Sequence, residues 1–64
     1  MDNKTRKQIE LLVIRLENDI KRQLQILSLI YERASEEQVN SILDRVNRNK
    51  ETVEKLKRGL TEGD

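Results

Sequence analysis

The sequence predicts an all-α protein, an antiparallel two-helix hairpin that dimerises into a four-helix bundle. Apolar residues recur at helical spacing in both halves, and a capping motif without glycine or proline separates the halves. Residues 9–31 carry thirteen apolar side chains against seven in residues 39–60, so the second helix cannot cover the first. We expect residues 1–64 to form one domain, because a chain this short buries only roughly 60% of its unfolded surface.

The first helix is predicted to cover about residues 4–33. It begins at Asn3 or Thr5, and Thr5 to Gln8 have the order of a capping box. When Val13 is placed at heptad position a, aliphatic residues follow at steps of three or four. The a and d positions of this helix are Ile9, Val13, Leu16, Ile20, Gln23, Leu27, Ile30 and Ala34.

The second helix is predicted to cover about residues 36–59. Ser35 and Gln38 have the spacing of a capping box, in which each side chain bonds the backbone N–H of the other residue. Gly59 favours an end to the helix, with a loose tail at 61–64. The a and d positions are Val39, Ile42, Val46, Asn49, Val53, Leu56 and Leu60. The alternative is one uninterrupted helix through Ser35, about 80 Å long.

Folding the chain back at residues 34–36 places Ile30 opposite Ile42 and Gln23 opposite Asn49. Each helix then has one amide where the heptad calls for an aliphatic residue, and the two amides share a layer. A slip of one turn would bury each amide against hydrocarbon, at a cost of roughly 1–3 kcal/mol. We interpret Gln23 and Asn49 as a layer that sets the register; the alternative is a wet edge where both matter little.

The same register makes two predictions about flanking residues. Glu17 should lie near Lys57, and Tyr31 should lie near Leu43, where its ring would close the turn end of the core. Tyr31 is the only aromatic residue of the chain. The alternative role for this ring is a stacking platform for a nucleic-acid base.

Four aliphatic residues of the first helix fall outside its core stripe. They are Leu11, Ile14, Ile26 and Leu29. Two antiparallel copies of this helix, related by a two-fold axis at Ile20, would place Leu11 opposite Leu29 and Ile14 opposite Ile26. Asn18 and Arg22 face each other between them. Such a self-complementary patch predicts an isologous dimer.

The same patch also suits a helix of a different protein. We therefore expect both a homodimer and a heterologous protein partner. The two expectations are compatible if the dimer opens to bind its target.

The composition argues against catalysis and ligand chemistry. The chain has no His and no Cys for proton transfer, nucleophilic attack or zinc binding, and its two glycines lie only at 59 and 63. Ser28, Ser35 and Ser41 have no activating base. We expect no enzyme activity, no cofactor, no metal and no small-molecule ligand.

Nucleic-acid binding is the main alternative function. Arg15 and Arg22 lie two turns apart on one helix, and Arg48 and Lys55 repeat this spacing on the other. A short helical hairpin that dimerises resembles, in length and plan, the plasmid RNA-binding protein Rop; the resemblance covers no sequence motif. It implies phosphate contacts through basic helix faces. Interleaved acids and a net charge of +1 favour an ordinary solvated surface instead.

The expected function is that of a small regulatory or adaptor protein that binds a protein partner. The first residues lack the apolar core of a signal peptide, and the longest apolar run, residues 11–14, is too short to cross a bilayer. We expect a cytoplasmic protein without membrane contact, or one delivered by a phage or virus.

Overall fold

The computed structural model describes residues 1–62 as two antiparallel α-helices. Helix α1 spans Asn3–Ile30 and helix α2 spans Glu36–Glu62. They pack along their length into a rod of 47 × 14 × 11 Å. The all-α hairpin is confirmed, and the single long helix is excluded. Neither helix is long and apolar enough to cross a membrane.

Helix α1 begins at Asn3, the first of the two predicted starts, and its cap is Asp2 and not Thr5. The carboxylate of Asp2 accepts a hydrogen bond of 2.7 Å from the backbone N–H of Thr5, and Asp2 has the extended backbone of an N-cap. This hydrogen bond holds the pKa of the Asp2 carboxyl below its usual value. Thr5 is therefore a residue of the first turn and not the cap.

The turn between the helices starts three residues earlier than predicted, because α1 ends at Ile30 and not near Arg33. The backbone N–H groups of Arg33 and Ala34 both donate to the carbonyl of Ile30, each at 2.8 Å. This shared acceptor tightens the last turn and ends the regular helix.

The capping box at the start of α2 is confirmed. The backbone N–H of Gln38 donates to the Ser35 hydroxyl at 3.1 Å, and the Ser35 N–H donates to Gln38 Oε1 at 3.0 Å. These bonds satisfy two backbone donors and turn the chain without a glycine.

Helix α2 continues past Gly59, where the sequence predicts an end and then a loose tail. Thr61 and Glu62 are helical, while the remaining tail residues, 63 and 64, lie outside the described residues. Gly59 does not have the positive φ of a helix C-cap. Arg6 Nη2 donates to the Leu60 carbonyl at 3.2 Å, so a contact from α1 holds the final turn.

The predicted heptads match the burial pattern. Every a and d position from 9 to 60 is buried or half-buried, and the best-buried apolar residues are Val13, Val46 and Val53, with Val46 only 2% exposed. Glu17 lies 3.3 Å from Lys57 as predicted. Ile30 and Ile42 line one groove near the turn.

Tyr31 does not close the turn end of the core. It lies in the turn immediately after α1 and is 64% exposed. Its backbone is still helical, with φ −47° and ψ −47°, and it borders a groove at the turn with Ala34 and Val39, but most of the residue remains exposed.

The hairpin exposes more surface than a compact protein of its size. Its accessible surface is 5338 Å². A compact monomer of 7.6 kDa exposes about 4300 Å². The difference arises because two helices shield each other along one seam only.

We predict that Ser35→Ala lowers the free energy of unfolding by about 1 kcal/mol, because the Gln38 N–H loses its cap. Urea denaturation followed by circular dichroism measures the change. Ser41→Ala is the matched control on the exposed side of α2, and it should change stability by less than about 0.5 kcal/mol. Equal losses in the two variants would contradict the capping role.

Candidate protein interface

The outer face of α1 carries an exposed aliphatic surface. Leu11 is 50% exposed, Ile14 53%, Ile26 38% and Leu29 77%. These residues lie outside the a and d positions that pack on α2: Leu11, Ile14 and Leu29 lie on the side of α1 turned away from α2, and Ile26 occupies a g position beside the seam. We call Leu11, Ile14, Asn18, Arg22, Ile26 and Leu29 the outer face. The two aliphatic pairs together span about 27 Å of helix, from Leu11 to Leu29. Together they form a larger apolar surface than residues scattered singly.

The centre of the outer face is polar and basic. Asn18 and Arg22 line a shallow groove of about 400 Å³ together with Arg15, Lys21 and Gln25. The three cations make no ion pair within residues 1–62. The outer face thus consists of two aliphatic clusters that flank a basic centre. The sequence interpretation assigned only Asn18 and Arg22 to this centre, although heptad spacing relates Arg15 to Arg22.

Gln23 and Asn49 both lie in the seam, beside Asp19. Gln23 is buried and Asn49 half-buried, so neither is at a fully wet edge. Asn49 Nδ2 donates to Asp19 Oδ2 at 2.6 Å, and Gln23 also lowers the pKa of the Asp19 carboxyl. The layer expected to be an amide pair therefore includes a carboxylate, which accepts from Asn49. Its role in setting the register stays a prediction.

Arg45 completes this polar cluster from α2. Its guanidinium donates to both carboxylate oxygens of Asp19, from Nε at 3.0 Å and from Nη2 at 2.9 Å. Hydrogen bonds from Arg45 are the main reason that the pKa of Asp19 lies below its usual value, and Asn49 and Gln23 add to this effect. The signal that sequence reasoning missed is that Asp19 and Arg45 both occupy g positions, which share one edge of an antiparallel pair.

The four cations predicted as alternative nucleic-acid contacts lie on one broad face of the hairpin. Arg15, Arg22, Arg48 and Lys55 all occupy c positions, next to the edge that carries the Asp19–Arg45 pair. In the observed register Arg22 and Arg48 lie at the same height along the long axis of the hairpin, and so do Arg15 and Lys55. A single hairpin therefore presents both basic pairs together.

The described residues contain no cluster of three or more acidic, His or Cys side chains able to hold a metal ion. Searches of protein-family models, curated proteins and solved structures find no match to this chain.

The lowered pKa of Asp19 makes stability depend on pH. An Asp whose pKa is depressed on folding stabilises the protein above the unfolded-state pKa of about 3.9, and this contribution is lost as the pH falls through the folded-state pKa. We predict that the free energy of unfolding falls between about pH 5 and pH 2, and that Asp19→Asn reduces this fall. Chemical denaturation at each pH measures it.

Asp44→Asn is the control, because the Asp44 carboxylate makes no contact with α1 in the described structure. This variant should keep the wild-type dependence on pH. Part of the fall should also persist in Asp19→Asn, because Asp2 has a lowered pKa as well. Identical pH profiles for Asp19→Asn and wild type would show that the Asp19 cluster does not stabilise the fold.

Proposed function

We propose that the protein is a small non-enzymatic regulatory or adaptor protein that self-associates and binds a protein partner. The observation that carries this proposal is the outer face of α1, whose aliphatic residues are exposed outside the a and d positions that pack on α2. Aliphatic clusters of this extent on a small protein are typical of contact with another chain.

The outer face is compatible with a second copy in antiparallel orientation. In the proposed dimer Leu11 packs on Leu29 and Ile14 packs on Ile26. Because the outer face lies opposite to α2, the four helices of the dimer lie side by side in a single layer, in the order α2, α1, α1, α2. The isologous contact is closed and does not propagate into a fibre.

Charge also favours this arrangement within the basic centre. Arg22 of each copy lies opposite Asn18 of the other, and Arg15 lies opposite Gln25. The amide oxygens of Asn18 and Gln25 are acceptors for these guanidinium groups, and they offset the repulsion among the cations that the two-fold axis brings together in this centre.

The exposed area is large enough for such a contact. A standard protein interface buries about 800 Å² on each partner. The hairpin exposes 5338 Å², which exceeds the surface of a compact monomer by about 1000 Å². At about 25 cal/mol per Å² of apolar surface, burial of the aliphatic clusters supplies several kcal/mol before the cost of association.

We predict that Leu11→Asp with Ile26→Asp converts a dimer into a monomer, because each substitution introduces a carboxylate into an aliphatic cluster. Sedimentation velocity should then give 7.6 kDa instead of twice that mass. Circular dichroism should remain helical, since both positions are exposed in the hairpin.

Leu24→Asp with Leu43→Asp is the matched control. These leucines are also exposed, but they lie off the outer face, so the double variant should remain a dimer. A wild-type monomer at high concentration would overturn the self-association. A dimer that survives Leu11→Asp with Ile26→Asp would overturn the interface.

Nucleic-acid binding is the second candidate function. The observation that favours it is the alignment of Arg15, Arg22, Arg48 and Lys55 on one broad face of the hairpin. Cations spaced over two antiparallel helices suit the phosphates of a duplex without base-specific contacts.

For this second function we predict binding of a labelled RNA duplex that weakens steeply with salt. Replacement of all four cations by Gln should reduce the slope of log affinity against log salt by about 0.9 for each phosphate that is no longer neutralised. Fluorescence anisotropy measures it. A control with Gln at Lys4, Lys7, Lys50 and Lys57 removes equal charge away from these c positions and should retain most of the slope. Equal effects of the two sets would contradict a specific basic face.

A further inference from the structure

The two long edges of the helix–helix seam differ in chemistry. The edge formed by the g positions is closed by the Asp19, Arg45 and Asn49 cluster. The opposite edge is formed by the e positions, which are Glu17, Leu24, Leu43, Lys50 and Lys57 in the helical segments beside the seam. We call this second edge the open edge.

The open edge contains an apolar groove. Ile20 of α1 and Val53 of α2 line a groove of about 330 Å³. Toward the turn, Leu24 is 42% exposed and Leu43 39% exposed on the same edge. Apolar side chains of both helices are thus accessible from one side, as in a bundle that lacks its third helix.

Two glutamates and two lysines line this groove, and both glutamates are paired with cations outside the lining. Glu17 is paired with Lys57 at 3.3 Å, and Glu54 is paired with Arg58 at 3.9 Å. Lys21 and Lys50 also line the groove, one on each helix, and neither has an ion-pair partner among residues 1–62. Two ammonium groups without an ion-pair partner therefore flank the apolar floor of the groove. The two carboxylates beside that floor are already paired with other cations.

We propose that the open edge binds an acidic amphipathic helix of another protein, which lies along the seam as a third helix. Its apolar stripe packs on Ile20, Val53, Leu24 and Leu43, and its carboxylates face Lys21 and Lys50. Lys21 also borders the basic centre of the outer face, but the apolar floor of the site lies along the seam, so a self-associated protein can present it. It rests on the proposed adaptor function and identifies the chemistry of the partner that such an adaptor binds.

A second copy of the chain does not fit the open edge. The exposed aliphatic residues of a second copy belong to the outer face of α1, whose centre carries Arg15, Lys21 and Arg22. These cations would meet Lys21 and Lys50. The acidic residues on the exposed side of α2 have no aliphatic stripe beside them to fill the groove.

The test uses two fluorescein-labelled synthetic helices of about four heptads with Leu at a and d. One peptide has Glu at e and g, and the other has Lys there. Fluorescence anisotropy with the full-length protein should show about ten-fold or greater preference for the acidic peptide. Lys21→Glu with Lys50→Glu should abolish or reverse this preference.

Two controls separate this site from the other surfaces. Lys4→Glu with Lys55→Glu makes the same change of charge away from the open edge and should leave peptide affinity within about two-fold of wild type. The Leu11→Asp, Ile26→Asp variant should retain peptide binding even if it alters self-association. Its behaviour therefore distinguishes failure of the open-edge site from failure of the outer-face dimer.

The proposal is overturned if the acidic and basic peptides bind equally, if neither binds, or if the control charge reversal is as damaging as the one at Lys21 and Lys50. A change in sedimentation for Lys21→Glu with Lys50→Glu, without peptide binding to the wild type, would assign the edge to a second copy and would also overturn it.

Discussion

Two helices can share only one seam, and this constraint governs the whole molecule. Among the described apolar residues only Val13, Val46 and Val53 are buried, and the other apolar heptad positions are half-buried. A seam of this width cannot enclose a core on all sides. Each helix therefore keeps an exposed outer face, and the seam has two edges that other groups must cover. The surfaces proposed to bind other molecules are consequences of this incomplete enclosure.

The Asp19 cluster shows how the seam accommodates polar residues. Asp19 accepts hydrogen bonds from Arg45 and Asn49 on α2. Its side chain is 24% exposed, so the carboxylate keeps part of its hydration. Every buried side-chain nitrogen and oxygen of the described chain has a hydrogen-bond partner. The cluster closes one edge of the seam and thereby makes the two edges chemically different.

The net charge of +1 conceals an uneven distribution of charge over the surface. Arg15, Arg22, Arg48 and Lys55 lie on the side of the closed edge. On the open edge, ion pairs with α2 cations satisfy both carboxylates that line the groove, which leaves Lys21 and Lys50 without partners among residues 1–62. Electrostatic recognition by a protein of this kind depends on local pairing, because salt screens charges beyond about 10 Å. Total charge is therefore a poor guide to its partners.

The sequence alone determined the hairpin, the heptad stripes and the Ser35 cap, because each follows from local spacing along one helix. It placed Gln23 and Asn49 in one layer but missed the contacts that Arg45 and Asn49 make with Asp19, since these contacts join residues distant in sequence. Tertiary structure also decided that α2 continues beyond Gly59, where Arg6 holds the Leu60 carbonyl. It likewise decided that Tyr31 is exposed. These features depend on which groups two packed helices bring together, and periodicity within one helix carries no such information.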